Sequence, residues 1–285
     1  MPSRRSVLKQ LAAICVLAGL GNLPGKVYAA SGNAEEDATS GEQFHMPDEA
    51  AAQAQVWVAF AASADIWGRD YKEVQATIGR LVQAMTPYTK VSVLCREEEE
   101  ALARKLCGEQ NTRFIVAELD DIWLRDTGGV FVQNGEGELG LVDFNCNGWG
   151  DKQEHEQDAG VAELVSKQAD AHYLQSKLTG EGGGIEVDGN GTAILTESCW
   201  LNSNRNPGVS KVQLEAELKA NLGLRKIIWL PGIKGKDITD AHVDFYARFV
   251  RPGVVVVNLD NDPASHDYEV TRQHLAILKQ ATDAD

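Results

Sequence analysis

The sequence predicts an α/β fold with internal pseudo-symmetry, and three observations predict it. Short apolar strands alternate with amphipathic helices through the body of the chain. One order of elements (strand, helix, strand, polar motif, strand, strand) occurs twice. The polar motifs of the two copies, Trp123 to Asp126 and His242 to Asp244, fall at the same place in that order.

The elements follow in chain order. Tyr71 to Met85 predicts a helix, since Val74, Ile78, Leu81, Val82 and Met85 share one face. Val91 to Cys95 predicts a strand. Arg96 to Leu106 predicts a helix whose run Glu97 to Glu100 is a solvated first turn, where acids suit the helix dipole. Phe114 to Ala117, Val130 to Val132 and Leu141 to Phe144 predict strands and complete the first copy. Ala193 to Thr196 opens the second copy as a strand. Ser210 to Leu222 predicts a helix with Val212, Leu214, Leu218 and Leu222 on or near one face. Ile227 to Leu230 predicts a strand ending at Pro231-Gly232. Phe245 to Val250 and Val254 to Asn258 predict two strands joined by Arg251-Pro252-Gly253, and Tyr268 to Ala281 a final helix. In a pseudo-symmetric fold, equivalent positions converge on one axis, which brings Asp126, His242 and Asp244 to a common site. Chance alternation of an ordinary α/β chain is the competing explanation of the repeated order.

The N-terminus reads as an export signal over residues 1–30. Ser3-Arg4-Arg5-Ser6-Val7-Leu8-Lys9 is a paired-arginine segment, followed by a moderately apolar stretch from Leu11 to Leu23 and small residues at Ala29 and Ala30. The apolar run is too short and Gly-rich for a stable membrane span. It resembles the twin-arginine class, which exports folded proteins to the periplasm; a general secretory signal is the alternative. Residues 31–44 read as a flexible leader with little apolar surface, and residues 45–285 as the folded domain.

The formal charge is −15, and the first 30 residues carry only cations, so the body is more acidic still. That argues against a nucleic-acid partner, because phosphate contacts need clustered Lys and Arg. It suits a small cationic ligand, which an anionic cleft attracts from a distance; solubility alone would also account for it. No membrane partner is expected once the signal is removed. Cys95, Cys107, Cys146 and Cys199 show no regular spacing and read as buried small hydrophobes. No spacing suggests zinc, so no metal and no cofactor are expected.

Three motifs carry the candidate chemistry. Asp126 precedes Thr127-Gly128-Gly129 and reads either as a functional carboxylate on a tight turn or as a turn Asp bonding its own backbone. Trp123, three residues earlier, is either a stacking face for a ligand or core. Glu181 heads Glu181-Gly182-Gly183-Gly184, where three glycines allow close approach of the backbone to a ligand. A phosphate loop is the weaker reading, since no Lys-Ser or Lys-Thr follows. His242 and Asp244 lie two apart on a strand-like segment and so point to one face. They form either an acid/base pair or a structural pair. Carboxylates with one imidazole favour a guanidinium or amidinium ligand, which is planar, charged and pairs with carboxylates through two parallel hydrogen bonds.

With these motifs the chain resembles the agmatine deiminases and related bacterial peptidylarginine deiminase-like proteins of the guanidino-group-modifying superfamily. The resemblance runs from Met46-Pro47-Asp48-Glu49 to Asp285. It takes in Trp123-Leu124-Arg125-Asp126, Phe144-Asn145-Cys146-Asn147-Gly148-Trp149-Gly150, Glu181 to Gly189, Leu201-Asn202-Ser203-Asn204-Arg205-Asn206-Pro207, Trp229-Leu230-Pro231-Gly232, and His242-Val243-Asp244 with Arg251-Pro252-Gly253. It implies a pseudo-symmetric α/β-propeller, the pentein fold, of ββαβ-type modules. It implies that Asp126 and Asp244 hold the guanidinium, that His242 is the general acid/base, that Glu181 supports it, and that Trp123 walls the substrate slot. It implies hydrolysis of agmatine to N-carbamoylputrescine, a step of putrescine and polyamine biosynthesis, through a thiouronium on a C-terminal Cys.

The sequence departs from the family pattern in three places. It contains no Gly-Gly-Ile-His-Cys segment, so the propeller is expected to be incomplete, the nucleophile absent and the chain as given inactive. Ile238 stands where the family commonly carries an acid four residues before the His, and Ala241 where it carries Gly. Open strand edges and an exposed core face would then leave the chain poorly soluble or self-associated as a homo-oligomer. The alternatives are a protein-arginine deiminase and a non-catalytic periplasmic binder of arginine-like cations.

Overall fold

The computed structural model describes residues 43–285. The export signal and all but the end of the leader lie outside the described residues. No helix among the described residues is long and apolar enough to cross a membrane.

Among the described residues, four small sheets carry the fold. The first joins β1 (Gln55–Phe60), β2 (Lys90–Cys95) and β3 (Thr112–Val116) in parallel, with helices α1 (Tyr71–Met85) and α2 (Glu100–Cys107) as crossovers. The second is an antiparallel hairpin of β4 (Val130–Gln133) and β5 (Leu139–Asp143). Helix α3 (Val161–Ala169) then crosses over to β6 (His172–Gln175), which pairs parallel to β5. The third repeats that plan: β7 (Glu186–Val187) pairs antiparallel with β8 (Thr192–Thr196), and α4 (Lys211–Leu222) crosses over to the parallel strand β9 (Lys226–Leu230). The plan begins again with the hairpin of β10 (Ala247–Arg251) and β11 (Val254–Val257), followed by α5 (Asp267–Leu278). The order that occurs twice in the sequence therefore joins elements of neighbouring sheets: β2 and β3 with the next hairpin, β8 and β9 with theirs.

Local chemistry explains the elements. Every residue of β8 is buried, because both faces of this central strand are covered, so its Ala193-Ile194-Leu195 centre is apolar without alternation, between two buried threonines. Helix α4 starts at a capping box, where Ser210 Oγ accepts from Gln213 N–H and the Gln213 side chain accepts from the Ser210 backbone. It ends at Gly223 in the left-handed conformation. Leu214, Leu218 and Leu222, four apart, are its buried stripe. Each such leucine contributes about 1.5–3 kcal/mol. They pack with Val130, Val132, Val142, Phe144, Leu195 and Trp200 in the largest core cluster. Phe44 packs against that cluster from the end of the leader.

Two expectations are corrected. Val212 is 78% exposed, because it sits two residues off the Leu214 stripe and faces solvent. Phe245 is not in a strand: Val243–Phe245 is a turn of 3-10 helix, and β10 begins only at Ala247.

Candidate active site

All three polar motifs occupy the same kind of place. Asp120 to Asp126 connects β3 to β4, Glu181 to Gly184 connects β6 to β7, and Asp240 to Asp244 connects β9 to β10. Each leaves the carboxyl end of the last strand in its sheet and leads into the next hairpin. Glu181 therefore belongs to the same series as the two motifs that the repeated order had paired.

The connections meet at Gly183. A Cβ built on this glycine would lie 2.6 Å from His242 Nδ1, 2.7 Å from Asp126 Oδ1 and 3.1 Å from Asp244 Oδ2. Only glycine lets three functional groups share that face. Gly183 N–H also donates to Asp126 Oδ1 at 3.0 Å, and Trp149 Nε1 donates to Asp126 Oδ2 at 3.0 Å. Asp126 lies in the helical turn Leu124–Thr127. Asp244 is different: its Oδ1 is buried with no hydrogen-bond partner among the described residues. His242 and Asp244 reach this face through the Val243–Phe245 turn, not through strand alternation. The backbone before them is left-handed at Asp240 (φ 60°) and at Ala241 (φ 69°). A glycine at position 241 would adopt that conformation without strain; alanine costs about 1–2 kcal/mol there.

The imidazole of His242 is held between carboxylates, with Nε2 3.1 Å from Glu181 Oε2 and Nδ1 3.8 Å from Asp126 Oδ1. Glu181 is completely buried. Arg205 Nε donates to both of its oxygens at 2.9 Å, and Cys199 Sγ lies 3.9 Å from Oε2. Arg205 continues to Asp240, whose Oδ2 also takes Lys152 Nζ at 2.7 Å. Cys199, read from the sequence as packing, is buried in the main core and also borders this site.

Protonation follows from these contacts. Burial works against the charged form of His242, but the negative groups Asp126 and Glu181, with Cys199, outweigh it and hold the imidazolium well above its usual range. Burial pushes Glu181 up, yet His242 and Arg205 together hold it below the usual carboxylate range. Asp126 is raised by burial, only partly offset by His242. Asp244 is raised by burial to about 6, with His242 lowering it and Asp126 adding to the rise. No thiolate is stabilised at Cys146 or Cys199, the cysteines nearest this site in sequence motif or space: burial raises both. Glu181, Cys199 and His242 place donor atoms within 4.8 Å of one another. This set does not suit a cation, because the Arg205 guanidinium already spans both Glu181 oxygens and its charge opposes a metal ion.

Trp123 sits in an aromatic cluster. It stacks on Trp67 at 6.0 Å and meets Trp149 edge-on at 6.5 Å. Asp121 accepts from Trp67 Nε1 at 2.6 Å, from Trp123 Nε1 at 2.9 Å and from Gln153. Trp123 is only half-buried, which leaves part of its ring for a wall beside Asp126. Asp120 is structural: its Oδ2 accepts the backbone N–H groups of Gln157 and Asp158. Ile238 is 43% exposed, and its carbonyl accepts from Lys152, so no carboxylate stands at that place. Sequence reasoning missed the roles of Trp149, Arg205, Asp121 and Lys152. Three of them lay inside recognised motifs: Asp121 in Asp120 to Asp126, Trp149 between Gly148 and Gly150, and Arg205 in Asn204-Arg205-Asn206.

The chain is similar to known proteins over most of its length. The profile of the Porphyromonas-type peptidyl-arginine deiminase family matches residues 45–285. A Streptomyces coelicolor protein named provisionally as an agmatine deiminase is 40% identical over 254 residues, covering 85% of this chain and 73% of its own. The agmatine deiminase of Pseudomonas putida is 37% identical over 250 residues, covering 85% and 67%. The solved agmatine deiminase of Enterococcus faecalis superposes with a TM-score of 0.80 at 30% identity, covering 85% of this chain and 67% of that one. The fold is therefore the pentein α/β-propeller type that the motifs implied.

Proposed function

Because the chain belongs to the Porphyromonas-type peptidyl-arginine deiminase family, we propose that its site binds and deiminates the guanidino group of a small cation of the agmatine type. The observation that carries this reading is the face of Gly183, where Asp126, Asp244 and His242 converge and Asp244 keeps a buried oxygen free to accept. A guanidinium supplies the donors that such an oxygen lacks, and two carboxylates match its planar fork. Charge pairing in a buried slot also polarises the guanidinium carbon toward a nucleophile.

In this reading Asp126 and Asp244 hold the substrate, and Trp123 walls the slot. His242, charged and flanked by Glu181, gives a proton to the departing ammonia and afterwards takes one from water. The attacking group is a thiol, which bonds to the guanidinium carbon as ammonia leaves and is released by water. Cys146 and Cys199 are both held as thiols by burial and do not fit that role. The nucleophile belongs to the Gly-Gly-Ile-His-Cys segment of the family, which is not among these 285 residues. The residues present carry out capture and proton movement.

Calorimetric titration of the 285-residue protein with agmatine, alongside an ammonia assay, tests this. Binding without ammonia release is expected. Turnover by this protein would show that one of its own groups attacks, and absence of any guanidinium binding would sink the reading. The family also includes enzymes described by peptidyl-arginine, so an arginine-containing peptide serves as the competing ligand; tighter binding of the peptide would move the substrate class to protein arginine. Export rests on the Arg4-Arg5 pair, the apolar stretch Leu11 to Leu23 and the small residues Ala29 and Ala30, and its twin-arginine form on the pair; cell fractionation of the native protein with and without that pair tests the latter.

A further inference from the structure

Arg205 is enclosed completely and makes contacts in three directions. Its Nε donates to both oxygens of Glu181. Its Nη1 donates to Asp240 Oδ2 at 2.9 Å and to Asn204 Oδ1 at 3.2 Å. Its Nη2 donates to the Thr239 carbonyl at 3.0 Å. One side chain thus joins the β6–β7 connection to the two residues that lead into His242. Thr239 closes the loop, because its Oγ1 accepts from His242 N–H at 3.0 Å. Asp240 and Ala241 lie between them in consecutive left-handed conformations, which the chain does not adopt unless its surroundings fix it.

We propose that Arg205 is the positioning residue of this site: it sets Glu181 against His242 Nε2 and locks the Asp240–Ala241 turn that aims the imidazole at Asp126. The groups nearest the open face of Gly183 are His242, Asp126 and Asp244, so Arg205 acts through Glu181 and Asp240. The function assigned to it rests on the reading of His242 as the proton-moving group. The role needs a planar fork. A lysine supplies the charge but cannot reach a carboxylate pair, a second carboxylate and a carbonyl in fixed directions. The groups that face His242 are Asp126, Glu181, Cys199 and Asp244, with Arg205 behind Glu181. Removing the Arg205 charge makes this set one unit more negative, so it holds a proton to higher pH.

The test is nitrogen-15 NMR of the histidine rings and titration of the Glu181 carboxyl in the full 285-residue protein, in wild type, Arg205→Lys and Arg205→Met. Agmatine calorimetry on the same three proteins runs alongside. In Arg205→Met the Glu181 titration is expected to rise by at least one pH unit and the His242 Nε2 signal to move. In Arg205→Lys the titration should return at least halfway, while the Nε2 signal stays displaced because the fork is gone. Agmatine affinity should fall at least tenfold in both. A folded Arg205→Met protein with His242 and Glu181 signals unchanged overturns the proposal. If Arg205→Met does not fold, an unchanged His242 in Arg205→Lys overturns it equally. Failure of both variants to fold assigns Arg205 to the scaffold and also overturns it. If wild type binds no agmatine, the functional reading fails, but the histidine signals still decide the role of Arg205.

Discussion

Three carboxylates face His242 and a fourth, Asp240, lies behind Arg205; the four fall into two unlike pairs. Glu181 and Asp240 are held below the usual carboxylate range, since His242 and Arg205 outweigh burial at Glu181, and Lys152, Asn204 and Arg205 outweigh it at Asp240. Asp126 and Asp244 are raised by burial, and an oxygen of Asp244 has no hydrogen-bond partner among the described residues. The first pair is finished inside the protein, whereas the second is left short of a cation. Buried charge without a partner is costly, and proteins keep it where a ligand completes it. The difference separates residues that build the site from residues that take the substrate.

Substitutions sharpen that contrast, because each pair should fail in a different measurement. Glu181→Gln removes the carboxylate from a buried guanidinium and should cost about 3–5 kcal/mol of stability, read by denaturant unfolding. A loss below about 1 kcal/mol would erase the distinction between the pairs. Asp244→Asn should leave stability unchanged or slightly higher, since burial opposes its charge and Oδ1 has no partner to lose. It should instead weaken agmatine binding by about 2–5 kcal/mol, read by calorimetry. Equal losses of stability from both variants would place all four carboxylates in one scaffold.

The contrast was only partly legible in the sequence. The alternation of strands and helices was plain where burial is one-sided or complete, as in α4 and β8. β6 was silent, because its residues are largely exposed and offer no apolar run. The spacing of His242 and Asp244 imitates strand alternation, and only the left-handed backbone at Asp240 and Ala241 turns it into a 3-10 turn. Asp126, Glu181, His242 and Asp244 were found through motifs, and the structure brings them together. Their partners were not found, since Trp149 meets Asp126 across 23 positions and Arg205 meets Glu181 and Asp240 across 24 and 35. Such contacts have no local periodicity to announce them.

Acidity should separate the pairs next. Asp244 titrates near 6 when folded and at about 3.9 when unfolded. The folded protein thus holds this proton more tightly, and its contribution to stability is present below about 4 and lost as pH rises through 6. A guanidinium needs the ionised form. Agmatine affinity should therefore fall below pH 6 by at most about tenfold per pH unit, with proton release on binding. In Asp244→Asn that slope should vanish. A slope that survives there would assign the titration to another group.

The smallest effect concerns how Asp126 is kept ionised for its ligand. Trp149 has a left-handed backbone, with φ 59° and ψ 38°, which is unusual for a bulky residue. Asn147 holds the approach, its Oδ1 accepting from Gly150 N–H and its Nδ2 donating to the Asn204 carbonyl. The strained turn delivers the indole N–H to Asp126 Oδ2. Trp149→Phe keeps the ring and the edge contact with Trp123 but removes that donor. A hydrogen bond to a charged acceptor contributes about 1.5–3 kcal/mol, and Asp126 keeps its bond from Gly183. The expected outcome is a loss of about 1 kcal/mol in agmatine affinity at neutral pH. The loss should widen in acid, because losing a donor to the carboxylate raises Asp126 further and protonates it earlier. Constant loss across pH would mean that the indole shapes the slot without acting on the charge of Asp126, and that the strain at Trp149 serves packing alone.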